Sequence, residues 1–397
     1  MKEIKIYKMK LSDFATVIMG QSPSSNFYNE EGKGLPFFQG VTDFSYKYPN
    51  ETFWTTVAPK KAEINDVLFS VRAPVGDVNI ANKKCCIGRG IAAIRSKTNQ
   101  IDYLYYLLKY QSIKIQRLGT GAVYDAIKKS DLENILLDVF EDPNSQFQVG
   151  SLLVLYDDLI DTNRRRIQLL EEAARLLFRE WFVYFRFPGH EKVKIVDGVP
   201  EGWKKGNMQD ISKVKSGYAF NSKDWLDEGN PVIKIRNIIG DGSVNLDNCS
   251  FIDQDVAAKA KDFSLKKGDL LIAMTGATIG KVGLLSENSK TIYLNQRVGK
   301  FIPKFEGAEL ILYCFFMSTN AQNYITNYAG GAAQPNISAS QIESIKIIVA
   351  ARNFYNQFVD LVGPMFEEIL NLRSQNRKLA QARDLLLPRL MSGEIEV

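Results

Sequence analysis

The sequence predicts an α+β protein: two α/β globular halves separated by an antiparallel coiled coil of two long helices. Three observations carry that reading. Landmarks of the first half recur in the same order in the second; each set is followed by a long segment with apolar residues in alternating steps of four and three; and short β-branched runs alternate with helical stretches inside each half. A chain of 397 residues is also too long for one ordinary core.

The repeat fixes the architecture. Asp66-Val-Leu-Phe-Ser is echoed by Asp269-Leu-Leu-Ile-Ala, and GTGAVYDAIKKSDLENILL from Gly119 by GGAAQPNISASQIESIKII from Gly330. The two halves therefore correspond at a shift of roughly 203 to 211 residues, with loops absorbing the drift. Residues 1–143 form the first globular half and 204–350 the second, each with runs such as VIKIRNI or DLLIAM and helical stretches such as IDYLYYLLKYQSIKIQRL. Similarity is low between the landmarks, as a shared scaffold with different surfaces requires.

Residues 144–186 carry the first helical seam: Val149, Leu153, Tyr156, Ile160, Asn163, Ile167, Leu170, Ala174, Leu177 and Trp181. The second, within 351–397, reads Phe358, Val362, Met365, Ile369, Leu372, Asn376, Leu379, Arg383, Leu386 and Leu390. Each seam carries one asparagine, which lowers stability but fixes register, because a slipped pairing buries its amide without a partner. Packing of each helix on its own half as an ordinary amphipathic helix is the alternative. A helix of about 36 residues reaches roughly 54 Å, so a paired rod would act as a ruler. Gly363-Pro364 is expected to kink the second helix or end a preceding segment. Residues 187–203, FPGHEKVKIVDGVPEGW without its helical periodicity, read as a link.

Composition narrows the chemistry. The chain has 45% hydrophobic and 24% charged residues, no apolar run near the roughly 18 residues of a membrane span, and a polar start without a signal-peptide core, so a cytoplasmic location without membrane contact is expected. Cys85 and Cys86 are adjacent, while Cys249 and Cys314 stand alone; this spells neither a disulfide framework nor a zinc site, and no metal is expected. His190 is the only histidine, in a Pro-Gly turn, which removes Ser-His-Asp and Cys-His catalysis. The carboxylates are scattered, and no catalytic set is recognisable. DLLIAMTGATIGKVG, Asp269 to Gly283, superficially suggests a phosphate loop, but Gly276 precedes Gly280-Lys281 by one residue too few and Val282 replaces Ser or Thr. The chain reads as a binder, and its net charge of +5 permits nucleic acid without demanding it.

The repeated glycine loops and the stretches GQSPSSNFY and SGYAFNSKDW offer a polar surface with interleaved aromatic rings. Its candidate DNA-contacting residues are Gln21, Ser22, Ser24, Ser25, Gln39, Arg72, Arg89, Thr120 and Tyr124 in the first half. In the second they are Ser216, Tyr218, Lys234, Arg236, Asn237, Thr275, Thr278, Lys281, Asn295, Gln296, Arg297, Gln334 and Asn336. Such side chains donate to phosphates or form paired hydrogen bonds with base edges. The competing reading makes them turn residues and solvated edges.

GQSPSS, DVLFSVRAPVGDV with CIGRGIAAI, NRRRIQLLEEAARLLFREWFVYF, PEGW and the ending ARDLLLPRLMSGEIEV together resemble the specificity subunits of type I DNA restriction-modification systems, over essentially the whole chain. The resemblance implies two target-recognition domains, each reading one half of a split double-stranded DNA target, and a coil that sets the unspecified spacer. It implies two modification (methyltransferase) subunits docked on the helices, and restriction subunits carrying motor and nuclease. This chain would bind no cofactor, S-adenosylmethionine and ATP with magnesium residing on partners. Arg72-Ala-Pro-Val-Gly stands against Thr275-Gly-Ala-Thr-Ile-Gly, and Arg89 near the place of Arg297, so the target is expected to be asymmetric. Two alternatives are a specificity subunit of a type II system with a fused methyltransferase-nuclease partner, and a coiled-coil scaffold without nucleic acid.

Overall fold

A computed structural model of the chain describes residues 5–119, 126–287, 290–318, 321, 324–325 and 336–397. It divides into two compact units, Met1–Asp161 with Lys378–Val397, and Thr162–Arg377. The division cuts both long helices, Pro143–Phe178 and Arg352–Met391, instead of setting them apart from the globular halves. The reason is packing: the last turns of the second helix bury Leu387, Leu390 and Met391 in the same core as Tyr106, Val149 and Leu153 of the first unit.

The first unit contains strands β1 (Ile6–Lys10), β2 (Ala15–Met19), β3 (Tyr28–Asn29), β4 (Leu35–Phe38), β5 (Trp54–Thr55), β6 (Lys61–Ala62), β7 (Val67–Ser70), β8 (Val78–Ile80), β9 (Cys85–Ile87), β10 (Ile91–Ser96) and β11 (Leu136–Phe140). They form a four-stranded sheet in the order β2-β10-β7-β8, a five-stranded sheet β3-β5-β4-β9-β6, and the pair β1-β11. The run Val67-Leu-Phe is buried on both faces: Val67 and Phe69 enter the core beneath helix Ile101–Gly119, while Leu68 enters a second core with Phe38 and Ile87. Alternate side chains of a strand point to opposite faces, so a strand between two cores reads as a continuous apolar run.

The second unit repeats this plan. After the hairpin of β12 (Ile195–Val196) and β13 (Val199–Pro200) come β14 (Lys204–Asn207), β15 (Ser212–Ser216), β16 (Asn230–Ile233), β17 (Gly242–Ser243), β18 (Ser250–Ile252), β19 (Ser264–Leu265), β20 (Leu270–Ala273), β21 (Val282–Leu284), β22 (Ile292–Leu294), β23 (Val298–Pro303) and β24 (Lys346–Val349). Its sheets run β15-β23-β20-β21-β17 and β18-β16-β22-β19, with the pair β14-β24. Even the unusual parallel pair recurs: Phe37 lies opposite Cys86 on β4 and β9, and Val232 opposite Tyr293 on β16 and β22. Leu270 and Ile272 face one core, Leu271 and Ala273 the other. In the link, Asp197 and Gly198 take positive φ at the tip of the hairpin, the Asp-Gly turn a tight two-residue loop favours. That hairpin lies within the stretch that the sequence marks only as a link.

Each unit holds its helical segments antiparallel. In the second, Asn163 donates to Asn376 Oδ1 at 2.9 Å, Arg166 pairs with Glu368 at 2.5 Å, and Phe182 stacks on Tyr355 at 5.4 Å. Ile167, Ile369 and Leu372 are buried there, with Leu170, Leu177 and Met365 packed at the margin. In the first unit Leu153 and Ile160 are buried, and Tyr156, Leu379 and Leu386 are half-buried. Toward its end the second stripe moves one position, with Leu387 buried beside Leu386. The second helix continues through Gly363-Pro364, so the proline does not terminate it.

A buried carboxylate anchors each pairing. In the first unit Asp157 accepts from the hydroxyls of Tyr46 at 2.6 Å and Tyr106 at 2.5 Å, and pairs with Arg383 of the second helix. In the second, Glu171 accepts from Tyr313 at 2.7 Å and Arg373 at 2.6 Å. Burial alone would raise the Asp157 carboxyl; the Tyr106 and Tyr46 hydroxyls and the Arg383 guanidinium outweigh it and hold the group below its ordinary 3.8. At Glu171 burial prevails and the carboxyl is raised. A depressed carboxyl contributes stability above its unfolded value and loses it as pH falls through the folded value. The first unit should therefore weaken in acid below pH 3.8 through Asp157. Asp157→Ala should cost about 3–5 kcal/mol at neutral pH, since Arg383 and the Tyr106 hydroxyl lose their buried partner and Arg383 keeps only the exposed Asp384 as counter-charge. Urea midpoints of wild type and variant across pH check both, and the variant should lose this acid-dependent component.

Candidate nucleic-acid interface

Three loops meet at one end of the sheets in each unit, and glycines let their backbones touch. In the first unit Gly20 donates to Ile91 O and Gln21 to Ile87 O, both at 2.9 Å. Gly88 donates to Phe38 O at 2.8 Å, and Gly90 to Gln39 O at 3.0 Å. Arg89 N–H reaches Ser22 Oγ at 3.3 Å, and Asp43 Oδ2 takes the N–H of Gln39 at 2.6 Å. Val71 donates to Gly90 O, which brings the neighbouring Arg72 to the same rim. A Cβ on Gly20 would lie 2.1 Å from Gly88 O, and one on Gly90 2.5 Å from Gln39 O. No side chain fits there, and the loops close only around glycine.

The second unit builds the same cage. Gly217 donates to Val298 O at 3.2 Å, Tyr218 to Leu294 O at 2.8 Å, Asn295 to Ile233 O at 3.0 Å, and Met274 to Arg297 O at 3.0 Å. Asn237 Oδ1 takes the N–H of Lys234 at 2.9 Å, as Asp43 does for Gln39. Backbone bonding thus matches Gln21 with Tyr218, Gln39 with Lys234, Arg72 with Thr275, and Arg89 with Gln296. Arg297 matches Gly90, one residue away from the correspondence with Arg89 expected from sequence.

Gln21, Gln39, Arg72 and Arg89 are exposed and Ser22 half-buried, gathered around one cage. Ser24 and Ser25 are exposed on the turn that leaves it. In the second unit Gln296 and Arg297 are exposed, and Ser216, Tyr218, Lys234, Thr275 and Asn295 half-buried. Exposed Asn336 bridges to Thr275. Arg236 is exposed and donates to Ser250 Oγ at 3.0 Å. Thr120, Tyr124 and Gln334 lie outside the described residues.

Asn237 departs from its expected role. It is 1% exposed, and its amide is used by Lys234 N–H, Asn245 O at 2.8 Å and Cys249 Sγ. It caps a turn and has no edge left to read a base. Thr278 and Lys281 likewise donate inward, to Ile235 O and Ile239 O, both at 3.4 Å, bracing adjacent turns. The sequence signal for this was present: a polar residue four positions after Gln39, or three after Lys234, in a tight turn favours side-chain capping over display.

The glycine loop around Lys281 joins β20 to antiparallel β21 through the turn Gly276–Thr278. It opens only the single 3-10 turn Gly276–Thr278 and no α-helix, so it lacks the dipole and free amides that hold phosphate. His190 sits in a turn with Nδ1 2.9 Å from Phe187 O. All four cysteines are free and buried; burial pushes Cys85 up to about 12 and Cys86 up to about 11. Among the described residues no group of three His, Cys, Asp or Glu is arranged to hold a metal, and no helix is long and apolar enough to cross a membrane.

Sequence reasoning missed Trp225, whose ring centroid lies 3.2 Å from Lys234 Nζ. Burial and the neighbouring Arg236 lower the Lys234 ammonium. Gly20 and Gly217 were also unremarked, although each stands at or next to the start of one of the two matching polar stretches.

The family model described as the type I restriction modification DNA specificity domain matches residues 3–172 and 200–351. A provisionally named MjaX specificity subunit of a type I restriction enzyme from Methanocaldococcus jannaschii is 45% identical over 161 residues, which is 40% of this chain and 38% of that protein. The MjaIX specificity subunit from the same organism is 25% identical over 409 residues, covering 98% of this chain and 93% of the relative. A crystal structure of a type I restriction-modification S subunit from M. genitalium shares the fold, with a TM-score of 0.62 at 18% identity over 98% of this chain and 97% of that one.

Gly217→Val should break the Tyr218 to Leu294 bond, because its Cβ would sit 2.3 Å from Leu294 O. Hydrogen exchange should show Tyr218 losing protection while Gln21 keeps it, and the reverse for Gly20→Val.

Proposed function

Because the chain belongs to the type I restriction-modification DNA specificity family, we propose that each unit reads one half of an asymmetric two-part target in double-stranded DNA. One observation carries the proposal: the same backbone cage presents Gln21, Gln39, Arg72 and Arg89 in one unit, and Tyr218, Lys234, Thr275 and Gln296 in the other. Equivalent frames with unlike donors suit unlike base sequences. The long helices would fix the number of base pairs between the half-sites and seat two modification subunits. Restriction subunits would complete the complex, in the cytoplasm where its DNA lies.

Catalysis is assigned to those partners. Adenine methylation with S-adenosylmethionine, and cleavage driven by ATP with magnesium, would occur on them, while this chain supplies the address and binds neither cofactor. The matched relatives are type I subunits, which gives no support to the type II alternative.

Mapping methylated positions in a host carrying the full system tests the reading. Arg89→Ala should relax base preference in one half-site and Gln296→Ala in the other, each by about 1–3 kcal/mol if its bidentate contact is lost. Inserting one heptad in each long helix should change the spacer and leave both half-sites intact. Methylation by the purified chain without a modification subunit would refute the division of labour.

A further inference from the structure

We propose that Lys234, positioned by Trp225, is the side chain through which the second unit requires a guanine in its half-site. This rests on the DNA-reading function above and assigns one base class to one residue. Lys234 follows β16 as Gln39 follows β4, and its N–H is capped by Asn237 as that of Gln39 is by Asp43. It therefore stands at the loop junction, beside the strand end to which Asn295 is bonded.

Its ammonium is pinned. Nζ lies 3.2 Å from the Trp225 ring centroid. The ring itself is fixed: it packs on Phe220 at 5.4 Å, the preceding turn is capped by Asp224 Oδ2 on Asn221 N–H at 2.7 Å, and the next residue, Leu226, donates to Phe251 O at 2.9 Å. A lysine that only neutralises phosphate gains nothing from a fixed position, whereas a base-specific contact depends on one.

An ammonium donates three hydrogen bonds and accepts none. On the major-groove edge guanine offers two adjacent acceptors, N7 and O6, while adenine and cytosine present amino groups that repel another donor. Gln39, at the matching place, both donates and accepts and so suits adenine N6 and N7. One position of the repeated cage thus separates the two half-sites by base class.

The test uses the full chain co-expressed with its modification subunits, with methylated motifs mapped for wild type and for K234M, K234Q, W225F and W225L. In K234M, discrimination at a single guanine of one half-site should fall about tenfold or more, with the other half-site unchanged. K234Q should shift that position toward adenine. As Trp225 acts by positioning, W225L should relax the same base as K234M and W225F should retain it. A duplex with 7-deazaguanine at that base should bind the wild-type complex more weakly and leave K234M indifferent; this measurement decides the matter if W225L fails to fold. An unchanged motif in K234M, or a uniform loss of methylation without altered base preference, overturns the assignment and makes Lys234 a phosphate contact or a bystander. A wild-type complex that methylates no two-part motif overturns the proposed function itself.

Discussion

Each unit depends on a carboxylate taken out of water and surrounded by its own donors. Asp157 and Glu171 both project from the first long helix, and each meets a tyrosine of the globular core and an arginine of the second long helix. A buried ion pair is a poor source of net stability, because desolvation offsets most of the attraction. Its value lies in uniqueness. Sliding either helix by one turn would strand a charge in an apolar core, so the helices pair in one register and the sheets are held at one place along them. The Asn163 to Asn376 hydrogen bond imposes the same condition with a smaller penalty.

The second constraint acts at the opposite scale, in backbone contacts too close for a Cβ. Gly20 and Gly217 let the first loop of each unit lie against the segment after the parallel strand. Once the backbone carries the cage, side chains at Gln21, Gln39, Arg72 and Arg89, or at their counterparts, are released from structural duty. Frame and message are thereby carried by different atoms, and a repeat can diverge in what it displays while its hydrogen bonds stay the same. Asn237 marks the limit of that freedom, since the turn uses every edge of its amide.

Much of this was legible in the sequence, for identifiable reasons. The seam asparagines stood out because heptad spacing is local and a polar residue within it is conspicuous. Asp66 and Asp269 marked the repeat because both do the same work, each taking a backbone N–H of its turn and an Arg or Lys from the adjacent strand. By contrast, the division of the long helices between two units was illegible. It depends on Leu387, Leu390 and Met391 reaching a core more than two hundred residues away in sequence, and periodicity does not say which core an apolar stripe will enter. The Trp225 and Lys234 pair was hidden for a similar reason, its members lying on different loops.

The sequence by itself determined the α+β class, the doubling of the chain, the seams with their asparagines, and the absence of a recognisable catalytic set, because each is a matter of residue type and spacing along the chain. Tertiary structure alone decided which polar residues are displayed and which are consumed: Arg89 faces solvent while Asn237 is sealed inside a turn, although both are hydrogen-bonding side chains in loops of the repeated cage. The physical reason is that a polar group's role depends on whether a partner in the folded chain has already met its hydrogen-bonding capacity, and those partners are brought together only when the loops close.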